Sequence, residues 1–407
     1  MKTMFNLPEK VIFCSKCVLS NQRPASIPEF LHKSSREGAK YLNIKKNSEG
    51  KNVCDACTSS EIKEKTDWKK REKELLKLLD KHRSKNGDYD CVVPGSGGKD
   101  SIYASHILKY KYGMHPLTVT WPPILYTDYG YQNFRNWIEI GGFDNISFKQ
   151  NGKVMKLLTK LSIENLLHPF QSFILGQKNI GPKLAVQYKI PLVFYGESEA
   201  EYGNPISELS SQRDKSYWSL ANIKKLFLAG VPIQELIEKH NLNMGDLKPF
   251  LPIENKDLQS NKIEVHYLGY YLKWIPQETF YYAVENCNFR PRPFRTEGTY
   301  SKYNSIDDKI DDLHYYTTFI KFGIGRATYD VSQELRNEHL TIDEGKKLIK
   351  KYDGEFPKRY FDEIIKYYGI KINFHKLCDK FRSPHLWKKI KKNWKLRHTA
   401  NMDGTDD

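Results

Sequence analysis

The chain has no run of about 18 apolar residues, so no membrane-crossing helix is expected. Met1-Lys2-Thr3-Met4-Phe5 leads into polar sequence without the apolar core of a secretion signal, and a cytoplasmic protein is expected. No two of the 12 histidines lie three or four residues apart, which removes the local histidine pairs used to hold a catalytic metal. No cysteine is flanked by glycine and none stands at the start, so the nucleophile of a built-in glutaminase is not expected. No internal repeat is visible. Two glycine motifs are also missing. A Walker A loop ending at Gly98-Lys99 would need its first glycine where Val93 stands, and a Ser or Thr where Asp100 stands. A dinucleotide fingerprint beginning at Gly95 and Gly97 would need its third glycine at Asp100.

What is present suits a large α/β enzyme. The 407 residues are 39% hydrophobic and 28% charged, with 26 Tyr and 20 Phe, enough apolar material for a packed core. The formal charge of +16 suits polyanionic partners, among them nucleotides, nucleotide-linked sugars, nucleic acid or an acidic lipid surface, and equally suits a solvated lysine-rich surface. Strand-like and helix-like segments alternate from Asp67 to Tyr195. A helix is expected over 67–83, then strands at 89–94, 116–121, 146–148 and 191–195, separated by helices over 99–112, 132–140, 153–166 and 173–188. That order predicts a parallel sheet covered on both faces. Helices are expected near 220–240 and a β-like run over 263–274. After about 305 the pattern turns helical, with Thr341-Ile342-Asp343-Glu344 as a capping box opening a helix through Tyr352. The basic end, with Lys388, Lys389, Lys391, Lys392, Lys395 and Arg397, is expected as a solvated amphipathic helix. The boundaries read as a cysteine module over 1–65, an ATP-using domain over 66–304 and a helical region over 305–407.

Four of the seven cysteines form two C-x-x-C pairs, Cys14/Cys17 and Cys54/Cys57, in a stretch with little apolar periodicity. Two such pairs close a tetrahedral four-cysteine site, and a structural zinc module is expected, because four protein ligands leave no open position for catalysis. Cys91, Cys287 and Cys378 are scattered.

Ser96-Gly97-Gly98-Lys99-Asp100-Ser101 lies between an expected strand and an expected helix. Glycines there let backbone N–H groups approach phosphate oxygens, and the helix start adds partial positive charge. Ser96 and Ser101 can donate hydrogen bonds, and Lys99 can add charge. Asp100 would repel bare phosphate and is expected to ligate a phosphate-bound Mg²⁺. Glu197 follows an apolar strand at the edge where α/β ligands bind, and is a candidate for Mg²⁺ or a substrate hydroxyl, with Glu199 as a second. Asp307 and Asp308 are candidates for a metal or for a helix start at Lys309. Arg290, Arg292 and Arg295 could clamp phosphates or a carboxylate.

The loop resembles that of the PP-loop, or N-type ATP pyrophosphatase, superfamily, of the adenine nucleotide alpha hydrolase-like type. The resemblance implies cleavage of ATP between its α and β phosphates, with AMP transferred to a substrate oxygen and then displaced by a nucleophile. It also implies an adenine pocket at Thr120-Trp121, nucleotide contacts at Gly196, and Lys302 as a neutraliser of leaving pyrophosphate. A zinc module ahead of such a loop also occurs in tRNA thiolases, so sulfur insertion into a tRNA base is the alternative. Sulfur chemistry generally needs further cysteines in the ATP domain, and the three scattered ones form no short-range pair.

Further segments widen the resemblance to nearly the whole chain: Val93-Pro94-Gly95, Pro116-Leu117-Thr118-Val119-Thr120-Trp121, Gly141-Gly142-Phe143-Asp144-Asn145, Gly196-Glu197 and Gly298-Thr299-Tyr300-Ser301-Lys302-Tyr303. Together with the cysteine pairs they resemble the N-acetyl sugar amidotransferases of lipopolysaccharide O-antigen and flagellin-glycan biosynthesis. That resemblance implies an N-acetyl sugar or sugar nucleotide as substrate, ATP and Mg²⁺ as cofactors, and an acetamidino product. It also implies ammonia from a separate glutaminase with a cyclase-like barrel subunit.

Overall fold

The computed structural model describes residues 2–25, 41–197, 211–213, 215, 218–220, 226–258 and 262–400. Its centre is a five-stranded parallel sheet built from β1 (Cys91–Pro94), β2 (Pro116–Thr120), β3 (Asn145–Ser147), β4 (Leu192–Tyr195) and β5 (Glu264–Tyr267), in the order β5-β4-β1-β2-β3. Side chains of β1 alternate between two cores: Val92 joins Leu117, Val119, Val193 and Val265 on one face, while Cys91 and Val93 join Leu192 and Phe194 on the other. Every residue of β1, β2 and β4 is buried, as expected of a parallel sheet covered on both sides.

The helices follow from the same alternation. Helix α1 (Asp55–Lys65) belongs to the cysteine module, and α2 (Trp68–His82) buries Leu75 and Leu79 against the second face. The phosphate loop leads into α3 (Lys99–His106), which continues as a π turn over Ile107–Lys111. Helix α4 (Asp128–Glu139) follows β2. Helices α5 (Gly152–Leu166) and α6 (Gln171–Tyr188) cover the first face. Helix α7 (Ile233–His240) and α8 (Pro276–Cys287) lie in the less regular section. The C-terminal part contains α9 (Asp311–Phe322), α10 (Arg326–Arg336), α11 (Ile342–Tyr352), α12 (Lys358–Tyr368) and α13 (Phe374–Lys380). The Thr341 capping box is present: Glu344 N–H donates to Thr341 Oγ1 and Thr341 N–H donates to Glu344.

Three expectations are corrected. The run over 263–274 is not one strand: β5 ends at Tyr267 and a helical turn, Leu268–Tyr271, follows at once. Between 226 and 240, α7 is preceded by a hairpin pairing Phe227–Leu228 with Val231–Pro232, while 221–225 lies outside the described residues. The lysine-rich end is a β-hairpin, Trp387–Ile390 against Asn393–Leu396, rather than an amphipathic helix. Trp387 anchors it by burying its ring and donating Nε1–H to the Ile320 carbonyl, while residues 388–393 stand exposed.

The cysteine module packs on the C-terminal part. Ser60 Oγ donates to the Arg336 carbonyl at 3.2 Å, Lys63 Nζ to Asn337 Oδ1 at 2.9 Å, and Met4 N–H to Ser383 Oγ at 3.1 Å. Phe5 stacks on Phe381 with ring centroids 6.0 Å apart. Among the described residues no helix is long and apolar enough to cross a membrane.

Candidate functional site

Strands β1, β2 and β4 end side by side, and at their carboxyl edge opens a cleft of about 600 Å³. Its near wall is the phosphate loop, its floor comes from α6, and its far wall is made by α9 and α10 with Arg23 from the cysteine module. The opening lies where open α/β sheets bind ligands.

Two glycines let the loop close up. Gly97 has φ +84°, and a Cβ there would stand 2.6 Å from the Phe134 Cα. Gly196, just past β4, has ordinary φ, but a Cβ there would meet the Asp100 carbonyl oxygen at 2.3 Å. The Gly196 backbone therefore lies directly against the first turn of α3. Lys99, 8% exposed, turns onto its neighbour, with Nζ 2.6 Å from Asp100 Oδ2. The other carboxylate oxygen of Asp100 accepts Trp274 Nε1–H at 2.9 Å. Ser96 Oγ donates to Asp307 Oδ2 at 2.6 Å, which draws the loop before α9 onto the phosphate loop. Ser101 Oγ donates to the Gly98 carbonyl at 2.9 Å.

Of the residues singled out in sequence, Ser96, Gly98, Lys99, Asp100, Ser101, Trp121, Gly196, Glu197, Asp307 and Asp308 line this cleft. Gly97 supports it from behind against Phe134. Trp121, 2% exposed, forms a wall stacked on Phe148 at 5.6 Å. Thr120 is fully buried in the sheet, where its hydroxyl accepts Asn145 Nδ2–H. Lys302 stands exposed outside the cleft, its carbonyl accepting Arg292 N–H. The three arginines do not form a clamp. Arg290 is exposed, and Arg292, 1% exposed, donates Nη2–H to the Ile306 carbonyl. Arg295 forms a two-point ion pair with Glu355, both contacts at 2.6 Å. Glu199 lies outside the described residues.

Asp308 organises main chain. It accepts N–H bonds from Ile124, Leu125 and Ile310, and burial still pushes its pKa up to about 7. Helix α9 begins after it, at Asp311, rather than at Lys309. Burial, then the neighbouring Asp307 and Asp308 charges, holds Asp311 well above the usual carboxylate range.

The hard oxygens of Asp100 and Asp307 flank the loop. Among the described residues no set of three carboxylates converges as a preformed cage. That donor set fits Mg²⁺, which is typically held by one or two carboxylates together with phosphate oxygens.

The four module cysteines do converge. Their Sγ atoms lie within 4.8 Å of one another, with Cys14–Cys57 at 3.7 Å and Cys17–Cys54 at 3.5 Å. A tetrahedral ion with Zn–S bonds of about 2.3 Å needs S···S edges of about 3.8 Å. Thiol-to-thiol hydrogen bonds hold Cys14 well below and Cys57 well above the ordinary thiol range, a split that a shared cation would remove. The remaining cysteines are inert by comparison. Burial pushes Cys287 up to about 11 and Cys378 up to about 12, and raises Cys91 well above the ordinary value; none of the three lines the cleft.

Several residues that line the cleft or hold Asp100 from behind it carried no recognisable sequence signal. Trp274 and Thr279, which meet Asp100, lie 174 and 179 residues from it. His168 and His314, with ring centroids 4.9 Å apart, and Arg23 and Arg326 come from four separate segments.

Residues 297–400 match the family described as the LPS biosynthesis protein WbpG-like, C-terminal domain. Over that stretch, about a quarter of its length, the chain is similar to this C-terminal domain. It is 37% identical over 73 residues to an uncharacterized protein of Methanocaldococcus jannaschii, an overlap of 18% of this chain and 26% of that relative, so it spans about a quarter of the relative's length. Overlaid on the NMN synthetase from Francisella tularensis it gives a TM-score of 0.26 at 15% identity, covering 55% of this chain and 92% of the other. Overlaid on the U34-tRNA thiolase NcsA from Methanococcus maripaludis it gives 0.29 at 14% identity, covering 78% and 88%. At such scores neither overlay bears on function.

Proposed function

We propose, from a WbpG-like domain that closes a cleft over an ATP-pyrophosphatase loop, that this chain is an ATP-dependent sugar amidotransferase. The observation that carries the reading is the far wall: α9 and α10, both within the matched stretch, face the phosphate loop across one cleft. On this reading the ATP chemistry and the stretch similar to the lipopolysaccharide-biosynthesis domain share a single reaction space.

In the proposed reaction the acetamido oxygen of an N-acetyl sugar attacks the α-phosphorus of ATP. The bond to the β-phosphate breaks and pyrophosphate leaves. Ammonia then adds to the activated amide carbon, the carbon–oxygen bond breaks, AMP leaves with that oxygen, and an acetamidinium group remains. With neutral ammonia the sequence releases no net proton.

The residues divide this work. Backbone N–H groups at Ser96–Ser101 and the start of α3 receive the phosphates. Lys99 is already neutralising the loop carboxylate and can follow the charge as pyrophosphate forms. Asp100, fixed by Trp274, and Asp307, fixed by Ser96, would hold Mg²⁺. Bound there, the ion would neutralise the charge on the phosphates. Trp121 offers an aromatic wall for the adenine, and Glu197 a carboxylate for a substrate hydroxyl. An adenylated amide hydrolyses in open water, so a deep cleft and ammonia delivered by a separate glutaminase suit the chemistry.

The buried cysteines favour ammonia over sulfur, because Cys91, Cys287 and Cys378 offer no accessible thiolate to the cleft. The test incubates the protein with candidate N-acetyl sugars and their nucleotide-linked forms, Mg-ATP and ammonium. The expected result is replacement of one sugar oxygen by NH in the mass spectrum, with equimolar AMP. AMP release that requires a tRNA and a sulfur donor, and ignores ammonium, would sink the reading.

A further inference from the structure

Three arginines line the cleft in the same manner. Arg23 lies over the Tyr329 ring at 5.1 Å, Arg326 over Tyr315 at 4.7 Å, and Arg213 over Tyr195 at 4.2 Å. An aromatic face holds a guanidinium in place, and the guanidinium fork is the side-chain group that matches planar or forked anions. Arg213 belongs with the ends of β4 and β5, lying over both Tyr195 and Tyr267. Arg23 and Arg326 form a set of their own, because the rings beneath them, Tyr329 and Tyr315, are themselves 6.4 Å apart.

Both members of that set are firmly held. Arg326 donates Nη1–H to the Tyr315 hydroxyl and pairs through Nη2 with Asp330 Oδ1 at 2.9 Å. Asp330 is in turn fixed by Thr299 and Asn304. Arg23 is 3% exposed, and its carbonyl accepts Leu42 N–H at 2.8 Å from the far side of the cysteine module. The neighbouring Gln22 meets His385 at 3.2 Å, which locks this end of the module onto the C-terminal part. Tyr315, Arg326 and Tyr329 all lie in the stretch matching the lipopolysaccharide-biosynthesis domain, whereas the phosphate loop does not.

We propose that Arg23 and Arg326 form the anion-recognising wall of the acceptor end of the cleft, binding a carboxylate or phosphate carried by the sugar. The four-cysteine module then has a direct part in substrate binding, because it supplies one of the two arginines. This inference rests on the reading that the acceptor is an N-acetyl sugar. A uronate carboxylate and a nucleotide diphosphate share the required chemistry, since both offer paired anionic oxygens to a guanidinium fork.

The experiment is calorimetric titration of the full-length protein and of Arg23→Lys and Arg326→Gln. Arg23→Lys keeps charge and stem in the buried position and removes the fork. Thermal midpoints close to wild type confirm that each variant folds. The probes are UDP-N-acetylglucosamine, N-acetylglucosaminuronic acid, neutral N-acetylglucosamine and the Mg²⁺ complex of a non-hydrolysable ATP analogue. Wild type should prefer one anionic sugar over the neutral one. Each variant should bind that anionic sugar about tenfold more weakly, as expected for loss of a charge-assisted hydrogen bond, with the ATP analogue unchanged. Response to the UDP sugar alone assigns the wall to a diphosphate, and response to the uronate alone assigns it to a carboxylate. The proposal is overturned if the variants keep full affinity for the anionic sugar, if the loss falls on the ATP analogue, or if wild type shows no preference for either anionic probe. Anionic sugar binding that is lost in the variants, without any amidine formed when Mg-ATP and ammonium are supplied, would sink the amidotransferase reading and leave the wall standing. Amidine formation with unchanged KM in both variants would sink the wall alone.

Discussion

Replacing Gly196 by alanine tests whether the approach of β4 to the phosphate loop sets the loop's geometry. Gly196 has ordinary φ, so alanine is conformationally acceptable and the whole effect comes from contact. The added Cβ would stand 2.3 Å from the Asp100 carbonyl oxygen, 2.9 Å from its carbonyl carbon and 3.2 Å from Ala104 Cβ. Two of those three atoms are backbone in the first turn of α3, so no side chain can swing away. Restoring ordinary contact needs a shift of about 1 Å between the end of β4 and the loop. Overpacking of this kind costs about 1–3 kcal/mol, and misplacing catalytic groups by about 1 Å costs about 100-fold in rate. Urea unfolding and ATP-dependent AMP release measure the two effects separately. Gly152→Ala is the control: it begins α5 with nothing within 4 Å of a new Cβ, and should be neutral or gain about 0.4–1 kcal/mol without touching activity. If Gly196→Ala unfolds like wild type and turns over at the wild-type rate, the loop is not positioned by this contact.

Other perturbations have equally definite outcomes. Cys54→Ser should remove the bound metal measured by a colorimetric chelator and open residues 41–65 to limited proteolysis; retention of one metal per chain would contradict the four-cysteine assignment. Asp353 accepts the N–H groups of Gly325 and Thr328 at the start of α10, and burial raises its pKa to about 6. The folded state therefore holds this proton more tightly than the unfolded chain does. Its contribution to stability is full below the unfolded value near 4 and falls as pH rises through about 6, by at most about 3 kcal/mol. Asp353→Asn should flatten denaturation midpoints across that window, and an unchanged slope would refute the assignment. The Arg295–Glu355 pair joins the Gly298 loop to the C-terminal part, since Glu355 also accepts Gly298 N–H. A double-mutant cycle on urea unfolding should give a coupling of about 1–2 kcal/mol, reduced from the buried case by its partial exposure, and zero coupling would make it a surface pair only.

What could be read in the sequence was local. The phosphate loop is six consecutive residues between an apolar strand and a helix, and β1 and β4 announce themselves as continuous apolar runs because both faces are covered. The cysteine pairs and the Thr341 capping box are likewise short-range patterns. The lysine-rich end misled because lysine fits a helix well, while the period-two signal spans only Trp394 and Leu396; what decides the hairpin is Trp387 docking on the Ile320 carbonyl. Asp308 shows the limit for function. Its acidic neighbours suggest metal or a helix start, yet the backbone of residues 124–125, some 180 positions away, takes both of its oxygens.

The far wall of the cleft could not be read at all, and the reason is architectural. A motif is visible when the residues that act together are contiguous, and the loop satisfies that condition because one strand–turn–helix unit supplies all the phosphate contacts proposed for it. The opposite wall draws Arg23 from the cysteine module, His168 from the turn between α5 and α6, and Tyr315, Arg326 and Tyr329 from the C-terminal helices. Each is an ordinary residue in its own segment. They meet because the module is bonded to the C-terminal part through Ser60, Lys63 and Gln22, so the two ends of the chain act as one body against the central sheet. It follows that the cysteine module and the C-terminal domain should fail together. A change that loosens the module, such as Cys54→Ser, should weaken binding at the side of the cleft lined by Tyr315 and Tyr329 more than Mg-ATP binding at the Gly97–Asp100 turn, which sits between β1 and the start of α3.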